Sequence, residues 1–178
     1  MTLEEAIRGR RSIRSYRDHE IAESLLMELF DLARHAPSSM DAQPWCFVLI
    51  REARLKQQLA AIKNAYCPAE KRAYRADFIA AAPVIVAVCV ERSRSWGREL
   101  ENGVLATASL LLAAHACGLG SVYLSAYQSD QPGLALEIRR LLRLPDDVEP
   151  VTLVPLGFPA DAPRPKALRP LHEMIRHE

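Results

Sequence analysis

The longest stretch without a charged residue limits most strongly how this chain can fold. Residues 102–129 contain no Asp, Glu, Lys or Arg and are largely apolar. A membrane-spanning helix needs about 20 consecutive apolar residues, but Gly118 and Gly120 interrupt the stretch before that length is reached. The pattern therefore predicts a buried helix followed by a buried strand.

The helix predicted over residues 99–117 is the longest in the chain and is apolar on every side. Its apolar residues include Leu100, Val104, Leu105, Ala108, Leu110, Leu111, Leu112 and Ala116. A helix that is apolar on all faces has to be covered on all faces, which one small domain rarely achieves. We therefore expect a second copy of the chain to cover part of it, in a homodimer.

The composition indicates one domain spanning residues 1–178. Of the 178 residues, 49% are hydrophobic and 25% are charged, which is ordinary for a globular domain of this size. A net charge of +1 disfavours nucleic acid or an anionic membrane as a partner. The polar N-terminus is unlike a signal peptide, and four scattered cysteines favour a reducing compartment, so we expect a cytoplasmic protein.

Apolar periodicity predicts five or six helices and four strands. Thr2 and Glu5 have capping-box spacing, which predicts a first helix that buries Leu3, Ala6 and Ile7. Further helices are predicted from Asp18 to before Pro37, around Leu55–Ile62, and over 70–81, 99–117 and 134–142. Strands are predicted over 46–50, 83–90, 121–127 and 151–157, with a polar loop over 91–100.

This order of elements predicts an α+β fold, a sandwich with helices on both faces of one sheet. Four prolines in the tail, residues 158–178, exclude a long helix before Leu171. We expect the tail to run over the surface or over a partner subunit.

Several common catalytic and binding motifs are absent from the sequence. It contains no G-x-G-x-x-G, G-x-x-x-x-G-K-[ST], G-x-S-x-G or H-E-x-x-H. The five histidines lack metal-ligand spacing, so no metal site is expected. His115, in the apolar helix, is interpreted as a hydrogen-bonded core histidine.

The basic segment, residues 8–17, contains five arginines: Arg8, Arg10, Arg11, Arg14 and Arg17. They are interpreted either as a solvated basic helix end, where cations complement the helix dipole, or as an anion site. In the second case Arg10, Ser12 and Arg14 alternate onto one face of an extended segment. Charge-assisted hydrogen bonds from that face would hold a phosphate without a glycine loop.

The polar loop, residues 37–44, places Ser38, Ser39, Asp41 and Gln43 between Pro37 and Pro44. It is interpreted either as an ordinary helix-to-strand turn or as a preorganised hydrogen-bonding loop for a polyhydroxylated ligand. Prolines at both ends lower the entropic cost of ordering it. Trp45, which follows, is a candidate for the core or for a pocket wall.

At these motifs the sequence resembles the nitroreductase family of flavoproteins. Matching segments are 10–16 (RRSIRSY), 36–50, 81–88, 101–121 and 154–170, in the family's order over nearly the whole chain. The resemblance implies a three-layer α/β/α sandwich with a mixed, mainly antiparallel sheet. It also implies a homodimer that binds FMN and uses NAD(P)H, with the tail, about 158–178, over the partner subunit.

The resemblance also implies roles for individual residues. Those expected to hold the FMN phosphate and pyrimidine edge are Arg10, Arg11, Ser12 and Arg14. Those expected to reach the ribityl chain and ring across the dimer are Pro37, Ser38, Ser39, Asp41 and Gln43. The segment expected under the flavin, with backbone near N5, is Leu124, Ser125, Ala126, Tyr127 and Gln128. Arg169 and Lys166 are expected to return to the phosphate.

One position departs from the family. Asp41 stands where the family usually has asparagine, and an ionised carboxylate accepts hydrogen bonds but does not donate them. A contact from this position to a flavin carbonyl is therefore in doubt. No long insertion precedes the apolar helix, which leaves Trp96, Tyr66 and Tyr74 as candidates for lining the pocket.

The implied reaction is transfer of hydride from NAD(P)H through flavin N5 to a nitroaromatic, a quinone or a free flavin. Arg14 would stabilise negative charge at the N1–O2 edge, and no side-chain acid or base is needed. The alternatives are a flavin-dependent dehalogenase or flavin-fragmenting enzyme of the same fold, and a non-enzymatic dimeric module that binds an anionic partner.

Overall fold

The structure is a computed structural model that describes residues 1–68, 75–163 and 165–177. The first helix, α1, spans Leu3–Gly9, and the predicted capping box at Thr2 and Glu5 is confirmed. Ala6 is buried, but Leu3 and Ile7 are 71% and 58% exposed. The prediction that α1 buries these two residues is wrong for a single chain, because only one side of this short helix contacts the domain.

The remaining helices are α2 (Glu23–Ala33), α3 (Ala53–Ala65), α4 (Phe78–Ala81), α5 (Arg92–Ser95), α6 (Glu99–Ala116) and α7 (Pro132–Leu141). Short 3₁₀ turns cover Ser39–Asp41 and Leu171–Glu173. The long apolar helix and its C-terminal glycine are confirmed, since Gly118 has the positive φ of 78° that glycine tolerates.

Three helix predictions need correction. Asp18 does not cap α2, which begins after Ala22 without a side-chain cap. Residues 70–74 of the helix predicted over 70–81 lie outside the described residues, and the described part, 75–81, is helical only over α4. The segment predicted as a loop over residues 91–100 contains α5, a single helical turn. Trp96, which follows α5, has a left-handed φ of 56°.

The sheet contains β1 (Trp45–Ile50), β2 (Val84–Glu91), β3 (Gly120–Ser121), β4 (Leu124–Ser125) and β5 (Val148–Gly157). Its order is β1-β2-β5-β3, and β4 also pairs with β5. All these pairs are antiparallel, and a parallel bridge from Ser12 to Ser121 makes the sheet mixed, as predicted.

The strand predicted over residues 121–127 is divided into β3 and β4. Both belong to one register with β5, in which Ser121 pairs with Leu156 and Leu124 with Leu153. That register places Val122 opposite Pro155, which has no N–H to donate. The missing donor interrupts the ladder at this point, a detail that strand propensity alone does not reveal.

The core forms two layers, one on each face of the sheet. Val86 and Val88 of β2 pack with α2 and α6, whereas Ile85 and Ala87 pack with α3 and α7. Alternation along the strand assigns successive residues to opposite layers. The predicted α/β/α sandwich is therefore confirmed.

Helix α6 contacts β5 very closely. A Cβ atom on Gly103 would lie 2.6 Å from the side chain of Val151, and the hydroxyls of Thr107 and Thr152 are 2.6 Å apart. Elsewhere on α6, Leu100 and Leu105 are each 41% exposed. One chain therefore covers only part of this helix.

The tail has no regular structure in its described residues before the 3₁₀ turn at Leu171–Glu173. It carries four exposed apolar side chains: Leu168, Leu171, Met174 and Ile175. Within the described part of the chain, no helix is both long enough and apolar enough to cross a membrane.

Candidate functional site

The basic segment extends from the end of α1 along the edge of the sheet, beside β3. The Ile13 N–H donates to the Ser121 carbonyl at 3.0 Å, within the parallel bridge of Ser12 to Ser121. Farther along, Arg17 N–H donates to Phe158 O at 2.8 Å. The predicted extended conformation is therefore present, and backbone hydrogen bonds to Ser121 and Phe158 hold it in place.

The side chains of this segment alternate as expected. Ile13 packs where a Cβ on Gly120 would be, while Ser12 and Arg14 are exposed. The Arg14 guanidinium lies 5.8 Å from the centre of the Phe78 ring, in cation–π contact. Arg11 donates to the carbonyls of Arg8 and Arg10 at 2.6 and 2.9 Å, which closes the end of α1.

Two polar groups at this edge have no partner in the described residues. The half-buried Arg10 guanidinium makes no hydrogen bond there. The Ser121 hydroxyl is buried and also lacks a hydrogen bond, although buried polar atoms are nearly always paired. Both lie next to Ser12, so this edge can offer one cation and two hydroxyls to an anion.

His115 of α6 contributes to the electrostatics of the same edge. Its Nε2 atom lies 2.6 Å from where a Cβ on Gly9 would be. Burial lowers the pKa of His115, and the charges of Arg10 and Arg11 lower it further. The imidazole is half-buried and makes no hydrogen bond within the described residues, so the interpretation as a hydrogen-bonded core histidine is wrong.

The polar loop is anchored to the N-terminal end of α6, opposite the end that contains His115. Asn102 is fully buried; its Oδ1 accepts from Ser39 N–H at 2.9 Å, and its Nδ2 donates to Ser95 O at 3.2 Å. Inside the loop, Gln43 N–H donates to Ser38 Oγ, and Gln43 Nε2 donates to Asp41 Oδ1. These bonds hold a specific loop shape.

That shape carries backbone strain. Met40, Asp41 and Gln43 have φ values of 54°, 51° and 48°, in the left-handed region that residues with a Cβ rarely adopt. Strain of this kind persists where surrounding contacts enforce it, and it concentrates at functional sites. Trp45 begins β1 and packs partly against the α2–α6 core layer, so it is a core residue.

The two predicted halves of the site lie at opposite ends of α6 in one chain. The basic segment adjoins His115 and the polar loop is bonded to Asn102. Between these two residues an α-helix rises about 20 Å at 1.5 Å per residue. A single chain therefore does not bring the two motifs together.

The segment expected under the flavin is β4 and the residues after it. The side chains of Leu124 and Ala126 are buried in the α3–α7 layer, and Ser125 and Tyr127 are half-buried. The Ser125 hydroxyl donates to Tyr127 O. The Gln128 Oε1 atom is buried without a hydrogen-bond partner in the described residues.

Comparison with known proteins identifies the family. The sequence profile described as "Nitroreductase family" matches residues 7–158. The chain belongs to the nitroreductase family. Its 34% identity over 165 residues to a protein of Methanothermobacter thermautotrophicus, described as an NADH dehydrogenase/NAD(P)H nitroreductase, covers 92% of this chain and 80% of the relative. The family and such relatives make the chain an oxidoreductase.

Two further relatives differ in their described activity or ligand. The chain is 30% identical over 188 residues to an iodotyrosine deiodinase of Thermotoga neapolitana, covering 97% of this chain and 95% of that protein. A nitroreductase-like protein of Desulfovibrio desulfuricans, crystallised in complex with FMN, is 27% identical. The two structures superpose with a TM-score of 0.79, covering 100% of this chain and 97% of the other.

Other residues predicted for the site lie elsewhere in the fold. Lys166 is exposed, and Arg169 is 3.4 Å from Glu173 within the tail, so neither meets the basic segment of its own chain. Tyr66 donates to Glu137 at 2.8 Å, between α3 and α7. Trp96 is 68% exposed at the end of α5. Tyr74 lies outside the described residues.

Sequence reasoning missed two residues that organise the site. Asn102 anchors the polar loop, and its signal was an uncharged amide with poor helix propensity within the most apolar helix. Lys63 of α3 donates to the Ser125 carbonyl at 2.6 Å. A lysine in a polar, basic helix gives no such signal, because its partner is distant in sequence.

Proposed function

We propose that this nitroreductase is a homodimeric FMN enzyme that transfers hydride from NAD(P)H to a small acceptor such as a nitroaromatic, a quinone or a free flavin. The observation that carries the proposal is the group of donors at the β3 edge. Arg10 and Ser12 lie in the segment that is bridged to Ser121, whose buried hydroxyl has no hydrogen-bond partner in the described residues, and this edge has no glycine loop.

These residues fit the phosphate of FMN. A guanidinium and two hydroxyls supply charge-assisted and neutral hydrogen bonds to phosphate oxygens. Bonding of this kind would also give the buried Ser121 hydroxyl the partner that it lacks among the described residues. Arg11 adds positive charge to this edge, and its hydrogen bond to the Arg8 carbonyl caps the C-terminal end of α1. Lys166 and Arg169 add charge when the tail lies across the dimer.

A two-fold dimer supplies the second half of the site. Because the basic segment and the polar loop lie at opposite ends of α6, antiparallel packing of two α6 helices brings the loop of each chain to the basic segment of the other. Leu105 and Ala108, which are exposed and one turn apart on α6, provide an apolar surface for that packing. Exposed Leu3 and Ile7 on α1 extend it.

The chain's own groups then position and shield the ligand. Bound FMN would supply hydride chemistry at N5, which the protein orients and tunes. Arg14 places a positive charge where the pyrimidine edge gains negative charge during reduction. The polar loop of the partner subunit, through Pro37, Ser38, Ser39, Asp41 and Gln43, would bond the ribityl chain and exclude water. The edge of β4 faces the ring.

The first test is the spectrum and turnover of protein purified with added FMN. We expect bound flavin absorbance, and oxidation of NADH or NADPH that depends on a nitroaromatic, quinone or flavin acceptor. Because one relative is described as a deiodinase, halide release from iodotyrosine is measured in parallel. Folded protein without bound flavin contradicts the proposal, and halide release without nitroreductase turnover changes the reaction assigned to the site.

A second test asks whether each site is shared between chains. Arg10→Ala and Ser38→Ala chains with different tags are co-expressed, and the mixed dimer is isolated. If the site is shared, one site of the mixed dimer has both changes and the other has neither, so about half of wild-type FMN binding returns relative to either homodimer. If each site lies within one chain, every site carries one change and nothing is recovered.

A further inference from the structure

Lys63 makes an unusual contact for a lysine on a polar helix. It lies in the last turn of α3, is half-buried, and donates to the backbone carbonyl of Ser125 at 2.6 Å. Ser125 is in β4, the strand proposed to face the flavin. A half-buried lysine that bonds a backbone carbonyl, rather than a carboxylate, is expected to have a structural role.

The peptide that joins Ser125 to Ala126 is held at both ends. Its carbonyl accepts from Lys63, and its N–H donates to Val151 O at 2.9 Å. In a trans peptide these two groups point in opposite directions, so the first bond fixes it on the open edge of β4 and the second fixes it to β5. Rotation of this peptide would break both bonds.

The same pattern fixes where the Ser125 N–H points. In an antiparallel ladder, residues alternate between those that bond the neighbouring strand and those that do not. Ala126 bonds β5, so Ser125 directs its N–H away from β5, to the open edge. The Ser125 hydroxyl is already bonded to Tyr127 O. The N–H is therefore the backbone donor that this residue can offer to a ligand.

We propose that Lys63 is a positioning residue for the flavin: it fixes the Ser125–Ala126 peptide and places a positive charge behind the strand that contacts the ring. This inference rests on the proposed FMN site. Burial lowers the pKa of Lys63, because the half-buried ammonium loses part of its hydration, and water then screens its charge less. The charge favours the electron-rich, reduced flavin over the oxidised form.

The chain offers a matched control on the same helix. Lys56 of α3 donates to the Ala82 carbonyl at 2.6 Å and is buried, and burial lowers its pKa also. Its partner precedes β2, so it does not contact β4. The variants Lys63→Met and Lys56→Met each remove an ammonium that donates to backbone carbonyls, and only the first removes it from β4.

The experiment measures the two-electron midpoint potential of FMN-loaded wild type, Lys63→Met, Lys63→Arg and Lys56→Met. We expect Lys63→Met to shift the reduction equilibrium about tenfold toward oxidised flavin, equivalent to about 30 mV. Lys63→Arg, which keeps the charge, restores most of that shift. Lys56→Met lowers the midpoint of thermal unfolding but leaves the potential at the wild-type value.

A second readout does not need the flavin. Hydrogen exchange at the Ala126 amide of FMN-free protein should become faster in Lys63→Met than in Lys56→Met, because one end of the peptide is released. If both variants give the same potential and the same exchange, Lys63 has no positioning role, although FMN binds. If wild type binds no FMN, the proposed function fails, and the exchange result still tests the peptide contact alone.

Discussion

The basic segment and the polar loop both present polar groups, but different interactions hold their conformations. The basic segment is held by its backbone, through bonds to Ser121 and Phe158, while the Arg10 side chain makes no hydrogen bond within the described residues. The polar loop is held largely by its side chains: Ser38, Asp41 and Gln43 bond within the loop, and Asn102 anchors it.

This difference predicts different responses to mutation. Where side chains shape the backbone, their loss changes the fold locally, and stability falls. Where the backbone is fixed independently, side chains remain available for a ligand, and their loss affects binding with little cost in stability. Measuring both the unfolding free energy and the FMN affinity of each variant separates these two responses.

The largest expected effect on stability is that of Asn102→Ala. The change leaves the Ser39 N–H and the Ser95 carbonyl without partners at a buried site, which costs about 2–4 kcal/mol of unfolding free energy. Urea unfolding measures it. Asn64→Ala is the control, because Asn64 also makes two hydrogen bonds, to Asp77 and Ala76, but at a half-buried position away from the loop.

We expect Asn64→Ala to be less destabilising and to leave FMN affinity close to wild type. Asn102→Ala should weaken FMN binding as well, because the loop loses its anchor. Equal unfolding free energies for the two variants would show that the loop does not depend on Asn102.

Arg10→Ala should show the opposite pattern. Loss of a charge-assisted hydrogen bond to phosphate costs about 1.5–3 kcal/mol, so the FMN dissociation constant should rise about 10- to 100-fold. The unfolding free energy should change little. Fluorescence titration with FMN measures the affinity. Arg8→Ala is the control, since Arg8 is exposed and paired with Glu4; a similar loss of affinity there would indicate only a general effect of charge.

The smallest effect is expected from Asp41→Asn. Asp41 Oδ1 already accepts from Gln43, and an asparagine oxygen can replace it. Stability should therefore change by less than about 0.5 kcal/mol, as at most surface sites. The amide adds a donor that the carboxylate lacks, so FMN should bind a few-fold more tightly. Unchanged or weaker binding would mean that position 41 does not donate to the flavin.

The sequence predicted most elements because each carries a local signal. The capping box at Thr2 and the long uncharged, apolar stretch of α6 are such signals, and both elements are confirmed. Predictions failed where the deciding contact is distant. Leu3 and Ile7 have a helical apolar pattern, but they remain 71% and 58% exposed within the described part of the chain. The division of β3 from β4 depends on Pro155, which lies on another strand.

The same limit applies to the candidate site. Motif resemblance predicts the basic segment and the polar loop as the two halves of the site, which stays a prediction. It did not find Asn102 or Lys63, whose importance comes from one bond each to a segment far along the chain. Nor does local sequence show that the two motifs lie about 20 Å apart along α6, which follows from the helix rise.

The close contact of Gly103 with Val151 has a consequence for how this protein can change over time. Because Gly103 packs on Val151 and the hydroxyls of Thr107 and Thr152 are in contact, the position and rotation of α6 against β5 are fixed. One residue added within the helix would turn everything beyond it by about 100° and, in the proposed dimer, would misalign both proposed cofactor sites. Insertions and deletions should therefore occur in surface connections, while the length of this helix stays constant.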